Sequence, residues 1–246
     1  MSFEGFPDRT FRFLRALAQD NSRATFAALR DDYEAHYVGA GRAFVESVAL
    51  GLAKVAPGLT ADPRIDGSIV RLHRDARFVR DRPPYKEQLE LWFWEGERAR
   101  AVSLLSLTVA PGGARIGVGA RGLRGDALAA YRAALSDPGA RRDLERLVGS
   151  ACRAGFDLAP RTAARRAVGK GPQRGTLGGT LGGTAADGAA SLTALQAGLA
   201  RRRDLVATLD VPRRLARSAE LAPRCLAVWR RLLPLHRWFV EHVQHG

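Results

Sequence analysis

The sequence predicts an α+β fold: an antiparallel sheet of about four strands, covered by helices from both ends of the chain. Three observations predict it. Apolar residues recur at helical spacing up to Val55 and again after Gly125. Between Ile69 and Ala120 the period changes to two. Helical runs and strand runs are grouped rather than alternating, which separates this pattern from a parallel α/β sheet. With 246 residues, 46% of them hydrophobic, the chain can bury roughly 70% of its unfolded surface without a staple. Cys152 and Cys225 are its only cysteines, too few for a disulfide framework or a Cys-rich zinc module. The expected organisation is therefore one domain over residues 1–246.

The elements follow in order. Thr10 can cap a first helix running to about Asp20, with Phe11, Leu14 and Ala18 on one stripe. Ser22 can cap a second, on which Phe26, Leu29 and Tyr33 lie one above another. A third carries Phe44, Val48, Leu52 and Val55 until Pro57-Gly58 stops it. Ile69 to Arg74 reads as a strand. Gln88 to Trp94 alternates, with Leu89, Leu91 and Phe93 on one face and Glu90, Trp92 and Trp94 on the other. Val102–Val109 and Arg115–Ala120, joined by Pro111-Gly112-Gly113, form an antiparallel pair. Leu128, Tyr131 and Leu135 resume the helical period, and Asp137-Pro138 opens a further helix. The Gly-Thr-Leu repeat near residues 171–190 has almost nothing to bury and reads as a flexible insertion. Leu192, Leu195 and Leu199 predict a helix continuing to about Leu209. The last helical stretch carries Leu215 to Trp238, interrupted by Pro223 and Pro234.

The formal charge is +14, and residues 161–246 hold 15 basic against 5 acidic side chains. All but three of the 39 basic residues are Arg, a bias that GC-rich coding produces as readily as polyanion binding. Nucleic acid is thus an alternative partner and not the first expectation. No stretch offers the ~18 apolar residues of a membrane span, and the N-terminus has no signal-peptide pattern, so a cytoplasmic protein is expected.

The densest polar segment runs from Arg71 to Lys86, with six cationic side chains and two aspartates. On a continuing strand Arg71, His73, Asp75 and Arg77 share one face, and Arg74 points to the other. Guanidinium forks bind phosphate or carboxylate bidentately, and Arg82, Tyr85 and Lys86 can reach the same ligand from the turn that Pro83-Pro84 stiffens. The competing reading is an Arg–Asp lattice that only locks the strand in place. His73 beside Asp75 could form a base with its orienting carboxylate, but about 7 Å between Cα atoms on one strand face disfavours it. Neither a metal site nor a cofactor is expected. The Gly-rich stretch lacks the strand before and the Lys-Ser/Thr after that a phosphate loop needs.

Phe3-Glu4-Gly5-Phe6-Pro7, then Phe13-Leu14, Asn21, Phe26 and Tyr33-Glu34, resemble the opening of the bacterial family called domain of unknown function 2461. Arg74-Asp75-Ala76-Arg77-Phe78, then Pro84-Tyr85-Lys86, resemble its Arg-Asp-Thr-Arg-Phe and Pro-Tyr-Lys pattern, with Ala76 in the place of Thr. Ile116 to Ala120 is similar to its Gly-containing strand. The resemblance implies a single cytoplasmic α+β domain and no established catalytic residue. The functional expectation is a protein binding a small anionic ligand through Arg71, His73, Arg74, Asp75, Arg77, Arg82, Tyr85 and Lys86. An enzyme acting on such a ligand is the alternative.

Overall fold

The computed structural model describes residues 3–74, 83–158 and 198–244. The chain enters through helix α1 (Asp8–Gln19). Pro7, in extended conformation, precedes the first turn, and Asp8 sits in it, where a negative charge suits the helix dipole. Thr10 is therefore inside the helix and not its cap. It is fully buried, and its hydroxyl donates to the His36 carbonyl at 2.6 Å, tying α1 to the π-helical stretch that precedes α4. Ser22 does cap α2 (Arg23–Ala28), accepting from the Thr25 amide at 3.1 Å. A single turn, α3 (Arg30–Asp32), a π-helical stretch (Tyr33–Gly39) and α4 (Ala40–Val55) continue almost without a break.

The sheet is antiparallel and has five strands in sequence order: β1 (Leu59–Thr60), β2 (Leu89–Glu95), β3 (Ser103–Ala110), β4 (Gly113–Ala120) and β5 (Leu205–Pro212). Three of these match the alternating segments of the sequence. Two expectations are corrected.

Ile69–Arg74 is not a strand but a broken ladder beside β2. Trp92 donates to the Ser68 carbonyl and Val70 to that of Glu90; two residues then drop out of register, and Lys86 donates to Leu72 and Arg74 to Pro84. The slip falls at Glu87-Gln88, and Pro83-Pro84 has no amide to extend the pairing. The second correction is at Leu205–Leu209, expected to be helical, which is β5. Val206, Thr208 and Val211 are β-branched and suit a pleated surface. Leu192, Leu195 and the Gly-Thr-Leu repeat lie outside the described residues.

Register assigns the two faces. Leu89, Leu91 and Phe93 stand opposite Val109, Leu107 and Leu105, which face Ala114, Ile116 and Val118 on β4. This face is covered by α4 and by the C-terminal helix, where Phe93 meets the Trp229 ring at 5.0 Å and Phe44 meets it at 6.4 Å. Helices α5 (Gly125–Ser136) and α6 (Pro138–Arg153) follow, the latter capped by Asp137, which accepts from the Ala140 amide at 2.7 Å. After β5 come α7 (Arg213–Ala216) and α8 (Leu221–Phe239). Pro223 falls in the first turn of α8, where it costs nothing, and Pro234 lies inside it. A π-helical end (Val240–Gln244) closes the described chain. Its Gln244 side chain donates to the Glu95 carbonyl and accepts from the Val102 amide, pinning the C-terminus across β2 and β3.

Candidate functional site

The turn before β2 is fixed from the helical layer. Asn21 accepts from the Tyr85 amide at 2.9 Å and donates to the Leu17 carbonyl at 2.9 Å and to that of Tyr85 at 3.3 Å. The Tyr85 ring stacks on Phe26 with centroids 4.5 Å apart and is buried. His73 sets its ring edge-on to both, at 4.9 and 5.4 Å. Arg74 is half-buried, and its Nε donates to the Tyr85 carbonyl at 3.1 Å. Arg71 and His73 are exposed beside it.

With the turn held in this way, Lys86 points along the second face of the sheet. Its Nζ lies 2.9 Å from Glu90 Oε2, and Gln88 Nε2 donates to Oε1 at 2.6 Å. Glu90 is only 8% exposed. Burial works to raise its pKa, but the Lys86 ammonium, the Arg121 guanidinium and the Gln88 amide outweigh it and hold the carboxyl below its usual range. The buried group is thus a carboxylate.

Arg121 follows β4 and turns back over that face. Its Nη2 donates to Ser106 Oγ at 3.1 Å, and Ser106 donates in turn to the Gly117 carbonyl at 3.3 Å. Gly117 leaves room for this. A Cβ there would stand 2.8 Å from Ser106 Oγ and 3.5 Å from Arg121 Nη2. Glycine inside a strand weakens it unless something must come close, and here it is Ser106 Oγ, followed by Val206 Cγ1 at 3.2 Å. The cross-strand rows on this face read Glu90, Thr108, Arg115, Asp210 and, beside them, Trp92, Ser106, Gly117, Thr208. Arg115 holds Asp210 through two hydrogen bonds of 2.5 and 3.0 Å.

A family comparison decides the chain's relationship. The model of the family described as conserved hypothetical protein, DUF2461, matches residues 9–238. The chain belongs to that family. Neither a curated protein nor a solved structure matches it.

In this DUF2461 member, the sequence-derived site divides into three groups. Lys86 lies on the polar sheet face. Arg71, His73, Arg74 and Tyr85 lie beside it, across the broken ladder and in the anchored turn, with the Tyr85 ring committed to the apolar layer. Asp75, Arg77 and Arg82 lie outside the described residues. The structure adds Gln88, Glu90, Ser106, Gly117 and Arg121, which sequence reasoning missed. One signal for them was present: Glu90 is an acid on an otherwise aromatic strand face, and Gly117-Val118-Gly119 interrupts a strand with two glycines.

Among the described residues no group of three His, Cys, Asp or Glu side chains could hold a metal ion. Burial pushes both thiols, Cys152 and Cys225, above the usual cysteine range, which suits core residues and not nucleophiles. No helix among the described residues is long and apolar enough to cross a membrane.

Proposed function

We propose that the protein binds a small anionic ligand, a phosphorylated or carboxylated metabolite, on the polar face of the sheet around Lys86 and Arg121. Arg71, His73 and Arg74 line its edge across the ladder. The observation that carries this reading is the placing of two cations on one sheet face, Lys86 on the buried Glu90 carboxylate and Arg121 on Ser106 above Gly117. A buried ion pair is a poor way to stabilise a fold, because apolar residues of like volume usually do as well or better. Its presence on this sheet face is better explained by ligand recognition. Glu90 orients Lys86 and Ser106 orients Arg121, and both side chains can donate to an incoming anion.

The test is thermal unfolding against a panel of inorganic phosphate, sugar phosphates and hydroxy-dicarboxylates. A ligand at about one hundred times its Kd adds roughly 2.7 kcal/mol of stability, which for a chain of this length raises Tm by about 5–10 °C. Arg121→Ala is expected to remove the rise while the unliganded protein still unfolds cooperatively. Failure of every anion to raise Tm contradicts the proposal.

A second reading is favoured by one observation. Asn21 and Arg74 both hold the Tyr85 backbone, and Lys86 continues that clasp onto β2. If the cations only lock the turn, Lys86→Ala and Arg121→Ala each lower the unliganded Tm, and no anion raises it in the wild type.

A further inference from the structure

Away from the sheet, a cavity of about 660 Å³ opens between α6 and α8. The two helices run antiparallel. Trp238, near the end of α8, donates to the Ala140 carbonyl at the start of α6 at 3.0 Å. Arg231, earlier in α8, lies over the ring of Phe156, just beyond the end of α6, 6.0 Å from its centroid. Short side chains on the α6 wall, Gly139 at one end and Ser150 at the other, leave the space between the helices unfilled. The floor is apolar, with Leu147, Leu235 and Trp238 along it. The rim is charged and polarised. Arg231 stands at the Ser150 end and Glu241 at the Gly139 end, with Arg237 between them on the chain. All three are exposed, and none is in an ion pair among the described residues.

An apolar floor inside a polar rim is the anatomy of a protein interface. A groove between two helices suits a third helix, whose apolar residues recur at i, i+3, i+4 and i+7. A nucleic acid fits less well, because the Asp143 and Glu241 carboxylates in the groove would face its phosphates. We infer that the α6–α8 groove docks an amphipathic helix of a partner protein, its acidic residues against Arg231 and Arg237 and a basic residue against Glu241. The helix dipole sets the direction. Acidic residues suit the N-terminal turn of a helix and basic residues the C-terminal turn. The docked helix therefore begins at Arg231, ends at Glu241 and runs parallel to α8. Arg231 and Glu241 are ten residues apart, which at a rise of 1.5 Å per residue is about 15 Å, or roughly three turns of the partner. This surface is independent of the anion site on the sheet.

The experiment measures fluorescence anisotropy of two synthetic amphipathic peptides against the full chain. The peptides share length and apolar residues. One carries Glu in its first turns and Lys in its last, and the other has these charges exchanged. The first is expected to bind about tenfold more tightly, as three exposed ion pairs supply. Exchange also weakens the free peptide helix, so the deciding readout is a triple variant, Arg231→Glu, Arg237→Glu and Glu241→Lys. All three positions are exposed, so the fold should persist, which circular dichroism checks. The variant should shift the ratio of the two affinities at least about tenfold toward the exchanged peptide. Ser150→Trp, at an exposed position on the groove wall, fills the cavity and should abolish binding of both peptides. A ratio that the triple variant leaves unchanged, binding that survives Ser150→Trp, or no binding at millimolar peptide overturns the inference. Tighter binding of a thymidine oligonucleotide that the triple variant abolishes also overturns it, by marking a polyanion strip. Self-association of the chain that Ser150→Trp abolishes does the same, by making a second copy the occupant.

Discussion

The two faces of the sheet are made by the same strands, and alternate residues serve opposite purposes. On one side Leu91, Leu107 and Ile116 line up under α4 and α8, all fully buried. On the other, the same three strands contribute Glu90 with Thr108 and Arg115, and Trp92 with Ser106 and Gly117. The first face is close-packed and redundant, so its energy is spread over many contacts. The second depends on a few charged contacts and on the absence of one side chain, at Gly117. A face whose stability value is low and whose geometry is specific is where a binding role is expected.

The contrast can be broken most sharply by Phe93→Ala. It removes a fully buried ring that touches Trp229, and urea denaturation should show a loss of about 3–5 kcal/mol. Glu90→Gln comes next. It leaves Lys86 facing a neutral amide in a site only partly open to water, and a loss of about 2–3 kcal/mol is expected by the same method. If Glu90→Gln costs as much as Phe93→Ala, the polar face is scaffold and the comparison fails.

Acid titration separates the faces by window. His236, fully buried on the covered side, has Nδ1 3.0 Å from Ser103 Oγ and Nε2 3.3 Å from Glu95 Oε2. Burial holds its pKa below the ordinary 6.5 against the pull of Glu95. The unfolded chain therefore takes up the proton first. The contribution of neutral His236 is complete above pH 6.5 and is lost as pH falls from there toward its folded pKa. Glu90 is also depressed, from 4.5, so its contribution is complete above that value and is lost as pH falls through its folded pKa. Stability measured against pH should fall in two stages, with His236→Gln removing the upper one and Glu90→Gln the lower.

The smallest expected effect is on the polar face itself. Arg115→Ala breaks a pair whose Asp210 partner is 67% exposed, and a change of about 0.5 kcal/mol or less is predicted.

Much of the covered face was legible in the sequence, because β2, β3 and β4 alternate cleanly and their residues are large. Strand β5 was not, and the reason is arithmetic. Leu205 and Leu209 are four apart, a spacing that fits one turn of helix and also two steps along one strand face. The β-branched Val206 and Thr208 between them carried the distinguishing signal. Thr10 was misread as a cap because Pro7 and Asp8 already supply a start.

On the polar face Lys86 was visible within its basic segment. Arg121 was not, because it meets Ser106 and the field of Glu90 only after β3 and β4 pair. Gly117 is informative for the same reason: its missing side chain acquires meaning only beside the Ser106 hydroxyl that a Cβ there would crowd.

The most direct test of a ligand site on this face is amide chemical-shift mapping during titration with a sugar phosphate. Perturbations concentrated at Lys86 to Trp92, Ser106 and Gly117 to Arg121, with α6 and α8 silent, are the predicted result. Perturbations confined to α6 and α8, or none at saturating concentration, would contradict it.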